Sequence, residues 1–161
     1  MEKKIKVFGY GNLLNPELYN NLGCEILSVT ECMLFTFLRV FNFYDKDKKL
    51  TLLNIDKSDL DKLVWGVAIE IYQKDLPKFV NCESGDEIVM ADFETAGGDR
   101  LRAMLFRAEH FEADDFDFKS IKQKEYLDEI LNSIKVYSKE FQVNFRKTTY
   151  IGDKTLFELG Y

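Results

Sequence analysis

The chain has 161 residues, of which 46% are hydrophobic, 14% aromatic and 31% charged, so it can bury a sizeable core and is too apolar for wholesale disorder. Its formal charge of −6 disfavours a broad attraction to nucleic acid, and its apolar runs are too short to span a bilayer. We therefore expect neither nucleic acid nor a membrane as a partner.

The N-terminus and the cysteines indicate the cellular compartment. The first apolar residues are interrupted by a lysine and then by glycines, which is not the pattern of a secretory signal peptide. Cys24, Cys32 and Cys82 lack Cys-x-x-Cys spacing, which argues against a disulfide framework or a zinc knuckle. We expect reduced, mostly buried thiols in a cytoplasmic protein. No repeat or low-complexity linker divides the chain, so residues 1–161 are expected to form one domain.

The N-terminal residues predict a strand and then a short helix. Residues 5–10 alternate as a strand with one buried face requires. In the sequence NPELYNNLG, Asn15 suits the N-cap, Pro16 suits the first helical position and Gly23 suits the stop.

The middle of the chain is dominated by strand signals. The aromatic segment ECMLFTFLRVFNFY, residues 31–44, predicts one long strand with a bend, and a charged turn follows it. The segment LVWGVAIEIY at 63–72 gives one of the best strand signals, and AGGD at 96–99 predicts a hairpin turn. The remaining predicted strands lie at 49–55, 87–95 and 100–109.

Helical spacing appears in two further segments. Leu76, Phe79 and Val80 give residues 74–83 the pattern of a short helix. Apolar residues recur at helical spacing over 120–141 and predict the longest helix. Residues 141–161 predict an irregular tail with two short extended pieces. Together the elements predict an α+β fold with enough strands for a closed or strongly curved sheet.

Several familiar site patterns are weak in this sequence. His110 is the only histidine, which excludes multi-histidine metal sites, and we expect it at the surface. The acidic run 109–117 is typical of a solvated loop. Residues 45–56 resemble a calcium loop but lack its glycine and its final glutamate. We therefore expect no metal.

Three features remain as candidates for chemistry. The loop 10–13 follows a strand, and backbone amides after a glycine can form a concave nest for an anion. Glu83 lies between an apolar helical turn and a Ser-Gly-Asp bend, and local chemistry leaves it either a solvated loop residue or a general base. Cys82 has no neighbouring cation to activate it, so a buried structural thiol is expected and a thiol-dependent enzyme is the alternative.

Four segments together resemble the γ-glutamylcyclotransferase-like family. FGYGNLL is similar to that family's opening Tyr-Gly-Ser/Thr-x-Leu motif, and FLRVFN resembles its Arg-x-Phe segment. LVWGVAIEIYQKDLPKFVNCESGD resembles its strand, short helix and Glu-Gly, and KEYLDEILNSIKVYSKEF resembles its late helix. The order and spacing match across most of residues 5–150.

The resemblance implies a small closed mixed β-barrel flanked by helices. It also implies release of 5-oxoproline from a small γ-glutamyl substrate without a cofactor, by attack of the glutamyl α-amine on its own γ-carbonyl. The family's catalytic glutamate falls on Glu83, whose pKa apolar neighbours would raise.

The substrate-binding residues implied by the resemblance have distinct expected roles. Backbone amides of Gly11, Asn12 and Leu13 would hold the glutamyl carboxylate or the developing oxyanion. Tyr10 would offer a ring and a hydroxyl. The other two expected residues are Arg39, which would attract an anionic substrate, and Tyr126, which would close the pocket.

Two residues depart from the family pattern. Asn12 stands where the family has Ser or Thr, and Ser84 stands where a glycine commonly follows the glutamate. The departures leave open a module that binds a small carboxylate without chemistry. The leaving amine is not specified by the sequence. The aromatic residues suit a homodimer interface as well as a pocket.

Overall fold

The computed structural model describes residues 1–59, 61–109 and 116–161. A closed barrel has the strand order β1-β5-β2-β6-β7, and its antiparallel pairs are completed by a parallel pairing of β1 with β7. The barrel strands are β1 (Lys4–Gly9), β2 (Ser28–Phe35), β5 (Leu63–Tyr72), β6 (Glu87–Thr95) and β7 (Arg100–Arg107). The α+β class and the small closed mixed β-barrel flanked by helices are confirmed.

A second sheet and several helices complete the fold. The sheet has the order β4-β3-β8-β9, with β3 and β8 parallel. Its strands are β3 (Phe37–Asp45), β4 (Leu50–Lys57), β8 (Thr149–Ile151) and β9 (Lys154–Thr155). The α-helices are α1 (Pro16–Asn20), α2 (Ile121–Ser133) and α3 (Lys139–Lys147), and 3-10 helices cover Asn12–Leu14, Gln73–Phe79 and Ile134–Val136.

The buried residues form two clusters. One draws side chains from all five barrel strands, including Phe8, Leu34 and Phe93, and therefore fills the barrel. The other packs the opposite faces of β1 and β5 against the helices and includes Phe141 and Phe145. The alternation read along β1 places Val7 in this second cluster and Phe8 in the first.

The single long strand predicted for residues 31–44 is wrong, because the chain changes sheet within it. Thr36 has a φ of 66° and separates β2 in the barrel from β3 in the second sheet. Its N–H donates to the carbonyl of Lys62, and its own carbonyl accepts from the N–H of Ser58. The apolar residues on both sides of Thr36 give no sign of this break, because the bonds that define it come from Ser58 and Lys62.

The predicted long helix over 120–141 is also two helices. α2 ends at Ser133, a 3-10 turn follows, and α3 begins after Ser138, whose hydroxyl accepts from the N–H of Phe141. Residues 141–147 are helical, whereas the sequence predicted an irregular tail. The helix is held because Phe141 and Phe145 are fully buried in the cluster between the helices and strands β1 and β5. The predicted short helix at 74–83 is 3-10 in type and ends at Phe79.

Side chains cover the free edge of β4. Gln123 Oε1 accepts from the N–H of Thr51, and the Tyr126 hydroxyl oxygen accepts from the N–H of Leu53 at 3.3 Å. The carbonyl of Leu53 accepts from the Ser84 hydroxyl. Edge-strand groups buried without partners would be costly, so these bonds fix α2 and the segment around Ser84 against β4.

Candidate active site

Glu83 lies in the connection between the 3-10 helix Gln73–Phe79 and β6, and only 4% of the residue is exposed. Its carboxylate accepts four backbone N–H donors from the loop after β1. Oε1 accepts from Tyr10 at 3.2 Å, Gly11 at 3.0 Å and Leu13 at 2.7 Å, and Oε2 accepts from Asn12 at 3.1 Å. The predicted amide nest is therefore present, and in this structure the anion it holds is a side chain of the same chain.

The local sequence explains why the loop can surround a carboxylate. Asn12–Leu14 form one 3-10 turn that is anchored by the fully buried Leu13 and Leu14. A Cβ at Gly11 would lie 2.7 Å from Glu83 Oε2, so any side chain there would displace the carboxylate. The glycine of the Tyr-Gly-Asn-Leu sequence is needed for this close approach.

Burial dominates the electrostatics of Glu83. Removal from water raises the pKa of the carboxyl from 4.5 to about 7, although the amides of residues 10–13 act in the opposite direction. A carboxyl with this pKa exchanges protons near neutral pH. It is therefore suited to accept a proton and then return it.

Arg39 lies behind the loop and is fully buried. Its Nε donates to Thr149 Oγ1 at 2.7 Å, Nη1 donates to the carbonyls of Trp65 at 2.5 Å and Tyr10 at 3.3 Å, and Nη2 donates to the carbonyl of Phe145 at 3.4 Å. The guanidinium carbon lies 3.8 Å from the centre of the Phe145 ring. A guanidinium this enclosed faces backbone carbonyls rather than the open surface where an arriving substrate would meet it.

One peptide group joins Arg39 to Glu83. The carbonyl of Tyr10 accepts from Arg39, and the N–H of the same peptide, which belongs to Gly11, donates to Glu83. A cation on the carbonyl side polarises the peptide and strengthens its N–H as a donor. Burial lowers the pKa of Arg39 to about 9, and the charge of Glu83 acts to raise it. The positive charge of Arg39 and the negative charge of Glu83 thus stabilise each other through this peptide group of the loop.

The two predicted tyrosines have structural partners. Tyr10 is fully buried, and its hydroxyl donates to the carbonyl of Phe106 at 2.7 Å. Burial, followed by the charge of Glu83, raises its pKa well above 10. Tyr126 is 8% exposed, meets the ring of Phe41 edge to face, and covers the edge of β4 through its hydroxyl. Its pKa is raised by burial, and Glu83 contributes in the same direction.

Two clefts adjoin Glu83. The first has a volume of about 600 Å³ and contains Glu83 in its wall. The second has a volume of about 470 Å³ and contains Cys82 and Tyr126. The residues shared by both clefts are Asn12, Lys48, Leu52 and Asn81. A larger cleft of about 860 Å³ lies between β2 and the β6–β7 hairpin, and none of the predicted site residues lines it.

The thiols differ from the prediction that most are buried. Only Cys32 is buried, and Cys24 and Cys82 are half-buried. Burial raises the pKa of Cys82, and Glu83 raises it further, which disfavours the thiolate that a thiol-dependent enzyme needs. Residues 1–59, 61–109 and 116–161 contain no group of three or more side chains suited to hold a metal. The predictions for His110 and for most of the acidic run, residues 110–115, lie outside the described residues.

The residues that support this arrangement carry no signal in the sequence. Thr149, Phe145 and Trp65 hold Arg39 from 26 to 110 residues away. Ser84 anchors the segment beside Glu83 through its bond to Leu53. No local pattern signals such contacts, because each depends on which distant carbonyl the fold brings close.

The sequence matches no family model and no curated protein. Among solved structures, a γ-glutamyl cyclotransferase aligns with a TM-score of 0.68 and 18% identity over 95% of this chain and 92% of that chain. An uncharacterized human protein aligns with a TM-score of 0.68 and 18% identity over 96% of this chain and 92% of that chain. A yeast γ-glutamyl cyclotransferase specific to glutathione aligns with a TM-score of 0.62 and 12% identity over 94% of this chain and 99% of that chain. The chain therefore has the γ-glutamylcyclotransferase-like fold that its four sequence motifs indicate.

Proposed function

We propose that the protein is a γ-glutamylcyclotransferase that releases 5-oxoproline from a γ-glutamyl amine or peptide, with Glu83 as the general acid and base. The observation that carries the proposal is Glu83 itself. It is a buried carboxyl with a pKa of about 7, held by four backbone amides in the wall of a cleft. The likeness of the fold to γ-glutamyl cyclotransferases supports the same chemistry.

The reaction moves two protons from the glutamyl α-nitrogen to the departing nitrogen. Glu83 takes the first proton from the α-ammonium, and the freed lone pair attacks the γ-carbonyl carbon, so that a five-membered ring closes and the carbonyl oxygen becomes an oxyanion. Glu83 returns this proton to the departing nitrogen and accepts the second proton from the ring nitrogen. The oxyanion re-forms the carbonyl as the original amide bond breaks, and the second proton passes from Glu83 to the departing amine, which leaves as an ammonium. The products are 5-oxoproline and an amine, and no water is consumed.

The loop has a positioning role in this mechanism. Three amides fix Oε1 and one fixes Oε2, so the carboxylate has a single orientation toward the cleft. Asn12 is the loop residue that lines the cleft, so its side chain can present an amide donor to the glutamyl group. Arg39 supports the loop from behind, and the geometry gives it no direct role toward a substrate.

The second candidate is a module that binds a small carboxylate without turnover. One observation favours it: Glu83 accepts from all four loop amides, which is the arrangement expected of a carboxylate that anchors the loop and does no chemistry. Thermal stabilisation by 5-oxoproline or glutamate, without release of product from any γ-glutamyl compound, would support this candidate.

The test is release of 5-oxoproline, measured by mass spectrometry from glutathione, γ-glutamyl dipeptides and γ-glutamyl polyamines. Wild type should release product, and Glu83→Gln should not, although circular dichroism should show both folded. Glu94→Gln, which changes a carboxylate in the distant larger cleft, serves as the matched control and should retain activity. Full activity of Glu83→Gln would remove Glu83 as the base. Sedimentation of the wild type would measure separately whether the aromatic residues form a homodimer interface.

A further inference from the structure

The two clefts beside Glu83 adjoin each other and share part of their walls. Cys82 lies in the wall of the second cleft and Glu83, the next residue, lies in the wall of the first. Asn12, whose N–H donates to Glu83, lines both. A substrate with its reacting carbonyl near Glu83 can therefore extend across Asn12 and Leu52 from one cleft into the other.

The clefts offer different chemistry to the two ends of a substrate. The first is lined by the exposed residues Asp47, Asp86 and Glu109, by the half-buried Asp45 and by the buried Glu83. Glu87 also lines it, but that charge is offset by Arg107 at 3.2 Å. An acidic cleft attracts the glutamyl α-ammonium and repels a second carboxylate on the departing amine.

Away from the junction, the second cleft has an apolar wall made by Leu18, Leu50 and Ile130, none of which lines the first cleft. The polar part of its lining there is formed by Asn15, Glu129 and Ser133. Lys48 lies at the junction, where it makes a 3.6 Å ion pair with Asp45 and has 58% of its side chain exposed. Such an exposed pair is weak, so the ammonium can turn toward an incoming carboxylate.

We propose that the second cleft is the subsite for the departing amine, and that it selects γ-glutamyl dipeptides whose second residue is bulky and apolar. The apolar side chain lies against Leu18, Leu50 and Ile130, and the carboxylate of that residue meets Lys48. This inference rests on the proposed cyclotransferase function and adds the substrate class to it.

The first experiment compares kcat/KM for four γ-glutamyl compounds with the wild-type protein. γ-Glutamyl-leucine should exceed γ-glutamyl-glycine by about tenfold or more, since a filled apolar pocket discriminates by such factors. It should also exceed γ-glutamyl-putrescine, whose departing amine is cationic, and glutathione, whose departing dipeptide has a smaller side chain next to the scissile bond. Equal rates, or fastest release from γ-glutamyl-putrescine, would overturn the subsite and leave the cyclotransferase intact. No product from any compound would overturn the proposed function and the subsite with it.

The second experiment tests the walls of the second cleft. Leu18→Ala and Leu50→Ala should lower kcat/KM for γ-glutamyl-leucine several-fold and change that for γ-glutamyl-glycine little. Leu101→Ala, a half-buried leucine in the larger distant cleft, is the matched control and should alter neither. If the two wall variants lower kcat/KM equally for both substrates, the effect is structural and the subsite assignment fails.

The third experiment tests Lys48. Lys48→Gln should lower kcat/KM for γ-glutamyl-leucine. It should not change kcat/KM for γ-glutamyl-isopentylamine, which has the same side chain without the carboxylate. Equal losses with both substrates would show that Lys48 does not recognise the carboxylate.

Discussion

Replacing Glu83 by Gln should flatten the pH dependence of the free energy of unfolding. The folded protein holds the Glu83 proton more tightly than the unfolded chain, because the pKa of the carboxyl is about 7 when folded and about 4.5 ordinarily. An acidic group whose pKa is raised by folding destabilises the fold when it ionises. The wild-type stability should therefore fall as pH rises from about 4.5 to about 7, and Gln removes that contribution because it does not titrate.

The magnitude follows from the displacement of the pKa. Each pKa unit corresponds to about 1.4 kcal/mol, so the displacement amounts to about 3 kcal/mol in total. Between pH 5 and pH 8 the free energy of unfolding of the wild type should lose about 2.5 kcal/mol relative to Glu83→Gln. The slopes must be compared rather than the absolute values, because the Gln amide nitrogen would face the N–H of Asn12 and lose one hydrogen bond.

Urea unfolding at pH 5, 6, 7 and 8 measures this difference directly. Every other titrating group is common to the two proteins, so subtracting the two curves isolates Glu83. Glu158→Gln is the flat control, since bonds from Thr155 lower the pKa of Glu158 below 4.5 and its difference from the wild type should stay constant between pH 5 and pH 8. A wild-type minus Glu83→Gln difference that stays constant across this range would refute the assignment of a raised pKa to Glu83.

Four further outcomes are expected. Wild-type kcat/KM should fall about tenfold from pH 8 to pH 6, because the general base must be ionised and the pKa of Glu83 is about 7. Arg39→Gln should move that pH profile to higher pH, because glutamine removes the positive charge from the Tyr10 carbonyl; an unmoved profile would contradict the connection through the loop. Gly85→Ala should lower the free energy of unfolding in urea by at least about 2 kcal/mol, because φ is 75° and a Cβ would lie 2.4 Å from the backbone of Arg107 and Ala108. Unchanged stability would refute this close contact. Tyr126→Phe should cost about 1 kcal/mol by leaving the N–H of Leu53 unpaired, and a neutral result in urea would show that another group takes its place.

The sequence determined most of the elements whose signals are local. Alternation identified β1, a strong strand signal identified β5, and the AGGD turn identified the β6–β7 hairpin. The N-cap at Asn15 began α1 as predicted, with its side chain accepting from the N–H of Glu17. Local chemistry made Glu83 and loop 10–13 candidates, the motif resemblance supplied their expected roles, and the fold resemblance was confirmed by the neighbouring structures. These features depend on residues close in sequence, which is why they can be read from it.

Only the tertiary structure decided what surrounds those residues. Glu83 meets its four amide donors across 70 to 73 residues, and Arg39 reaches Thr149 across 110. The change of sheet at Thr36 and the burial of α3 likewise depend on distant partners. Local sequence specifies which side chains can ionise or donate. The pKa of Glu83 and the burial of Arg39 depend on how far the packed chain excludes water and which backbone groups it brings into contact.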